Sequence, residues 1–168
     1  EETTKDLGGA LAAAIELFRS TGRKSYRRDA VASAARLIEL QVTQPREPRG
    51  GVCGFYRQST SNADPYRDIW HGCWHLFALC DLVQLCPNHA DADDWREAIR
   101  LYSKEYLATV SGRNSFGIVP YGLFADKDPG GNRRIGAYWY RYFMKPGDGW
   151  WVGVNANIAS AGIGLARA

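Results

Sequence analysis

Seven aromatic residues fall within fourteen positions of one stretch of this chain: Tyr138, Trp139, Tyr140, Tyr142, Phe143, Trp150 and Trp151 in GAYWYRYFMKPGDGWWVGVNAN, residues 136–157. Pro146, Gly147 and Gly149 interrupt them, so the rings crowd around turn residues instead of following a helix or strand period. Exposed in a cleft, such rings suit sugars. Their faces pack on axial C–H groups, and Tyr O–H and Trp N–H groups hydrogen-bond hydroxyls. The alternative is that they plug a loop onto the body of the protein. Trp139, Trp150 and Trp151 are the best placed for ligand contact.

A second group opens a helical pattern at YRDIWHGCWH, residues 66–75. His71 and His75 stand one helical turn apart, a spacing that metal sites use. The pattern lacks the acidic base of the zinc-peptidase motif and has no third ligand nearby, so neither a metal nor another cofactor is expected. His71, nearer the start of that helix, reads as a hydrogen-bonding residue of a cleft, with Trp70 beside it. His75 lies a turn deeper and reads as a core histidine. Loop carboxylates are Asp64, Asp68, Asp126, Asp128 and Asp148. Hydrolysis of a glycosidic bond needs two carboxylates facing each other across it, and spacing selects no such pair here. Arg133, Arg134 and Arg141 offer forks for a carboxylated sugar; anchoring loops through salt bridges is the simpler role for each. No Gly-x-Ser-x-Gly elbow occurs, and DPGGNRR lacks the Lys-Ser/Thr of a phosphate loop, so it reads as a turn.

These groups need helices to hold them. Leu7–Ser20 is rich in small residues and closes at Thr21-Gly22. Lys24–Gln41 is amphipathic, with Tyr26, Ala30, Val31, Ala34, Leu37, Ile38 and Leu40 on one side and Arg27, Arg28, Asp29 and Arg36 on the other. The short turn between the two makes an antiparallel hairpin. After a Pro/Gly-rich loop, Asp68 is placed to cap a third helix that Pro87 stops. Asp91 is placed to cap a fourth, amphipathic helix carrying Trp95, Ile99, Tyr102, Tyr106 and Leu107. A long loop, 111–149, then leads to a fifth helix near Trp150. No strand series is expected, although GIVPYGLF (117–124) suits a short extended piece. RRDAV (27–31) and WREAI (95–99) match at an offset of 68 residues. Helices one, three and five are apolar or small nearly all round, as inner helices are, while two and four resemble outer ones. This alternation suggests an all-α fold, an α/α toroid whose long loops gather at one end beside the inner-helix N-termini.

The 168 residues suit one domain able to bury a sizeable core. A net charge of +3, with acidic residues interspersed among the basic ones, gives no stripe for nucleic acid. No run of eighteen apolar residues exists to span a membrane. Cys53, Cys73, Cys80 and Cys86 read as thiols acting as small hydrophobes, not as a disulfide scaffold. The closing pattern NIASAGIGLARA has neither Gly cap nor Pro after it, which suggests a piece of a longer protein.

The residues from about Asp64 onward resemble the middle of a catalytic domain of glycoside hydrolase family nine, or of its looser relatives among the six-hairpin glycosidases. The most specific part is a W-x-G-x-N-x-x-I/L-x-S-x-G pattern, Trp151 to Gly162, opening an inner helix; the earlier helices match mainly in pattern. The resemblance implies an (α/α)6 toroid with an open cleft, inverting hydrolysis of β-linked glucans or related polysaccharides, and frequent secretion. It also implies a water-activating pair of aspartates in an Asp-Ala-Gly-Asp motif and a Glu acid near the domain's end. Neither is present in this chain, so no catalytic residue is carried over. The expectation is thus an incomplete toroid, residues 1–168, with the remainder of the parent domain as its partner. It supplies cleft residues for a poly- or oligosaccharide: Trp70, His71, Tyr138, Trp139, Trp150, Trp151 and Asn155. The rivals are a sugar epimerase or polysaccharide lyase on the same toroid, using His71, and a non-catalytic helical-repeat binding module.

Overall fold

The computed structural model describes residues 1–45, 51–67, 72–113, 115, 117, 119, 122–124 and 134–141, apart from the side chain of Arg141. Helix α1 spans Thr4–Thr21, α2 Lys24–Glu39, α3 Trp74–Leu85 and α4 Ala92–Arg100. Helix α4 runs on through a π-helical stretch, Leu101–Leu107, into a last turn α5, Ala108–Ser111. Three short strands follow: β1 Gly122–Phe124, β2 Arg134–Ile135 and β3 Tyr138–Arg141.

Each boundary has a local cause. Thr3 caps α1, its hydroxyl oxygen accepting the Asp6 N–H at 3.0 Å. At the other end the Gly22 N–H donates to the Phe18 carbonyl at 2.8 Å. One expectation needs correction at α4. Helix α3 starts at Trp74, just after Gly72, which takes φ +77°, a left-handed conformation; the cap expected at Asp68 lies outside the described residues. Asp91 does stand just before α4, but its side chain makes no capping bond. Pro87 does follow the end of α3 closely, as expected.

Helices α1 and α2 form the expected antiparallel hairpin, and α3 with α4 forms a second beside it. Gly8 lies against the start of α3, where an added Cβ would come within 3.0–3.1 Å of the His75 backbone and Cβ. Further along, Arg19 reaches Asp81 at 3.4 Å, so α1 and α3 run the same way. The 68-residue repeat has a structural meaning: its matched alanines, Ala30 and Ala98, are both buried on the second helix of their hairpins. Helix α1 is not covered all round as an inner helix was expected to be. Gly9, Ala13 and Leu17, successive turns of one face, are exposed.

The segment 51–67 is hydrogen-bonded to the first hairpin and to itself. Val42 N–H donates to Phe55 O and Thr4 N–H to Gln58 O, at 2.8 and 3.0 Å, and within the segment Tyr66 N–H donates to Tyr56 O at 2.7 Å. Gly54, at φ +86°, passes so close to the π-helical stretch that a Cβ there would overlap the Leu101 carbonyl oxygen. This segment drives Phe55, Tyr56 and Tyr66 into the core, where Tyr56, Tyr66 and Tyr102 surround the imidazole of His75 at centroid distances of 4.9, 5.2 and 4.8 Å. The four cysteines are thiols, and Cys73, Cys80 and Cys86 are buried as expected.

For Tyr138, Trp139 and Tyr140 the strands overturn the expectation of a loop; the other aromatic residues of the run lie outside the described residues. β3 is the central strand of an antiparallel sheet, order β1-β3-β2, pairing Leu123 with Tyr140, Phe124 with Trp139 and Ile135 with Tyr138. Of GIVPYGLF, Gly122–Phe124 is extended as β1, whereas Gly117 is left-handed at φ +66°. The fifth helix from Trp150 lies outside the described residues. Mostly helical with one small sheet, the described chain is nearer to all-α than to any other class.

Candidate functional site

Side chains alternate between the two faces of a strand, and β3 sorts its aromatic residues by that rule. Leu123, Ile135 and Tyr138 are buried on one face, with half-buried Tyr140 among them. Tyr138, 3 % exposed, meets the ring of Phe55 edge-on at 5.3 Å and so fastens the sheet to the 51–67 segment. Its place is in the core, and packing is its visible role.

The other face carries Phe124 and Trp139, a directly opposed cross-strand pair, both half-buried. Each has a guanidinium over it. Arg67 lies 4.6 Å from the centroid of Phe124, and Arg134 4.9 Å from that of Trp139. Arg67 also faces Asp64 at 3.7 Å and passes beside Gly122. The sheet thereby joins two stretches distant in sequence: the approach to α3 through Asp64 and Arg67, and the aromatic run through Trp139. Arg134 makes no ion pair among the described residues; beyond the indole, it donates a long bond to the Ala137 carbonyl.

Of the expected cleft residues, Trp139 therefore lies on an accessible face and Tyr138 beneath it. Trp70, His71, Trp150, Trp151 and Asn155 lie outside the described residues, as do Arg133, Asp68, Asp126, Asp128 and Asp148. Asp64, the one described member of the loop carboxylates, is committed to Arg67. His75 is the core histidine expected, 1 % exposed, and burial alone pushes its imidazole down to a pKa of about 3. Among the described residues no three His, Cys, Asp or Glu side chains gather as a metal site.

Two residues escaped the sequence reading. Phe124 stood in a quoted stretch, and the period-two pattern of GLF against YWYR was the available signal for it. Trp74 is the most exposed large hydrophobic residue described, at 58 %, with Phe77 edge-on to its indole one turn along α3. Its exposure had no local signal, since helical periodicity placed it in an apolar run. No protein-family model matches this chain, and no curated protein matches it.

Proposed function

We propose that this chain is part of a glycoside hydrolase built as an (α/α)6 toroid and acting on β-linked polysaccharide such as a β-glucan. In this reading it supplies sugar-binding residues to the cleft and not the reacting carboxylates. The observation that carries the reading is the outward face of the sheet, with Phe124 and Trp139 side by side under Arg67 and Arg134. Opposed rings on neighbouring strands make an apolar platform for a sugar ring, and the guanidinium forks that lie over them donate to hydroxyl or carboxylate oxygens. Arg134 is exposed, so its hold on the indole is worth only about 0.5–1 kcal/mol and a sugar displaces it at small cost.

The arrangement of hairpins supports the toroid. Two antiparallel hairpins stand side by side with their first helices parallel, the repeat unit of such a ring. The exposed Gly9–Ala13–Leu17 face of α1 is the face a neighbouring hairpin would cover.

The test is tryptophan fluorescence of the purified chain titrated with soluble β-glucan, xylan and uronic-acid polymers, alongside Trp139→Ala. A saturable shift with one glycan is expected, weakened about 5- to 10-fold by the substitution. A folded chain that responds to no glycan would reduce Phe124 and Trp139 to packing and end the proposal.

A further inference from the structure

The register of the sheet sets its outward side chains in a single row. Phe124 is paired with Trp139, and Trp139 with Arg134, so the three stand side by side across β1, β3 and β2 on one face. Arg67 joins the row at its β1 end. Its guanidinium lies 4.6 Å from the Phe124 centroid, and its Cδ is 3.6 Å from where a Cβ on Gly122 would stand. Gly122 and Phe124, two apart on one strand, share a face, so the stem of Arg67 runs over that same face. Two cations thus bracket a pair of rings across two strand spacings, roughly 10 Å.

Both ends of the row are positive, and neither cation is fully matched. Arg134 is exposed and makes no ion pair among the described residues. It has the Trp139 ring at 4.9 Å and one long bond, from Nη2 to the Ala137 carbonyl at 3.4 Å, so its fork keeps N–H donors for a ligand. Arg67 has Asp64 at 3.7 Å, too far for a hydrogen bond, and its Nε is buried with no hydrogen-bond partner among the described residues. Asp64 is the one carboxylate that the described residues bring to either arginine, which leaves two positive charges against one negative.

This balance of charge separates one class of glycan from another. A neutral sugar that settles on Trp139 moves Arg134 off the indole and offers it hydroxyl oxygens, as water does. A uronic acid offers a carboxylate whose two oxygens match the guanidinium fork, so the lost ring contact is replaced by a charge-assisted pair. We infer that the sheet face binds a β-linked glycan of uronic acid residues in preference to a neutral one, with a sugar ring on Trp139 and carboxylates at Arg134 and Arg67. The inference rests on the glycan reading of this face and narrows its substrate class.

The experiment is a nuclear magnetic resonance titration of the labelled full chain with two β-1,4-linked hexasaccharides that differ only at C6, one of glucose and one of glucuronic acid. The glucuronic acid oligomer should shift the Trp139 indole signal saturably and bind at least about 5-fold tighter than the glucose oligomer. Arg134→Gln should weaken the glucuronic acid oligomer about 5-fold and leave the glucose oligomer within about 2-fold of its original affinity. Arg28→Gln, which removes the same charge from an exposed position on α2, should leave both unchanged. Equal binding of the two oligomers, or tighter binding of the glucose one, overturns this inference and leaves the aromatic platform standing. Equal weakening by Arg134→Gln and Arg28→Gln shows a response to net charge alone and overturns it as well. A folded chain that binds neither oligomer ends both readings of the face.

Discussion

The imidazole of His75 ties the stability of both hairpins to pH. It lies fully buried among the rings of Tyr56, Tyr66 and Tyr102, and burial lowers its pKa from 6.5 to about 3. An unfolded chain takes up a proton there near 6.5, whereas the folded chain resists protonation until about 3. The stabilising contribution is therefore complete above pH 6.5 and lost progressively as pH falls towards 3. With the two values cited, the folded state loses roughly 2 kcal/mol by about pH 5 and roughly 5 kcal/mol in total. The perturbation that isolates this term is His75→Phe, which keeps the backbone and Cβ that Gly8 packs against and removes the titrating nitrogens. Urea unfolding followed by circular dichroism, near neutral pH and again at about pH 5, gives the stability of each protein. The wild type should lose about 2 kcal/mol more than His75→Phe between the two conditions. Equal losses would refute the reasoning, for they would mean that the ring is protonated in place or reached by water.

Gly54→Ala should destabilise by more than about 2 kcal/mol, because a left-handed backbone and overlap with the Leu101 carbonyl both oppose a Cβ; the urea midpoint measures it. A normal midpoint would show that the 51–67 segment can lift from the π-helical stretch. Gly8→Ala pits about 1 kcal/mol of helix propensity in its favour against a backbone contact at 3.0 Å, and the contact should win, lowering the thermal midpoint. A raised midpoint would mean that α1 and α3 separate easily.

Helices were legible because their causes are local. The amphipathic pattern of Lys24–Glu39 and the small-residue run of α1 appear as read, since side-chain periodicity and capping chemistry act within a few residues. The left-handed Gly72 just before α3 was not legible by the same logic, because the apolar pattern runs on through it. The division of the aromatic run was out of reach for another reason. A four-residue strand becomes a strand only when β1 and β2 flank it; β2 adjoins it through Gly136 and Ala137, but β1 comes from further back in the chain. Once they do, the pleat sends Tyr138 into the core and Trp139 outward, where Arg67 and Arg134 meet the paired rings. Gln41 shows the same division. Sequence placed Trp95 on the packing side of its helix, but the two carbonyls that orient Gln41 come from residues 13 and 57 positions away. Side-chain period and the Gly22 stop of α1, set by near neighbours, were thus determined by the sequence itself. Which face of a ring meets solvent, and which carbonyls hold an amide, follow from contacts between segments further apart, and only the tertiary structure decided them.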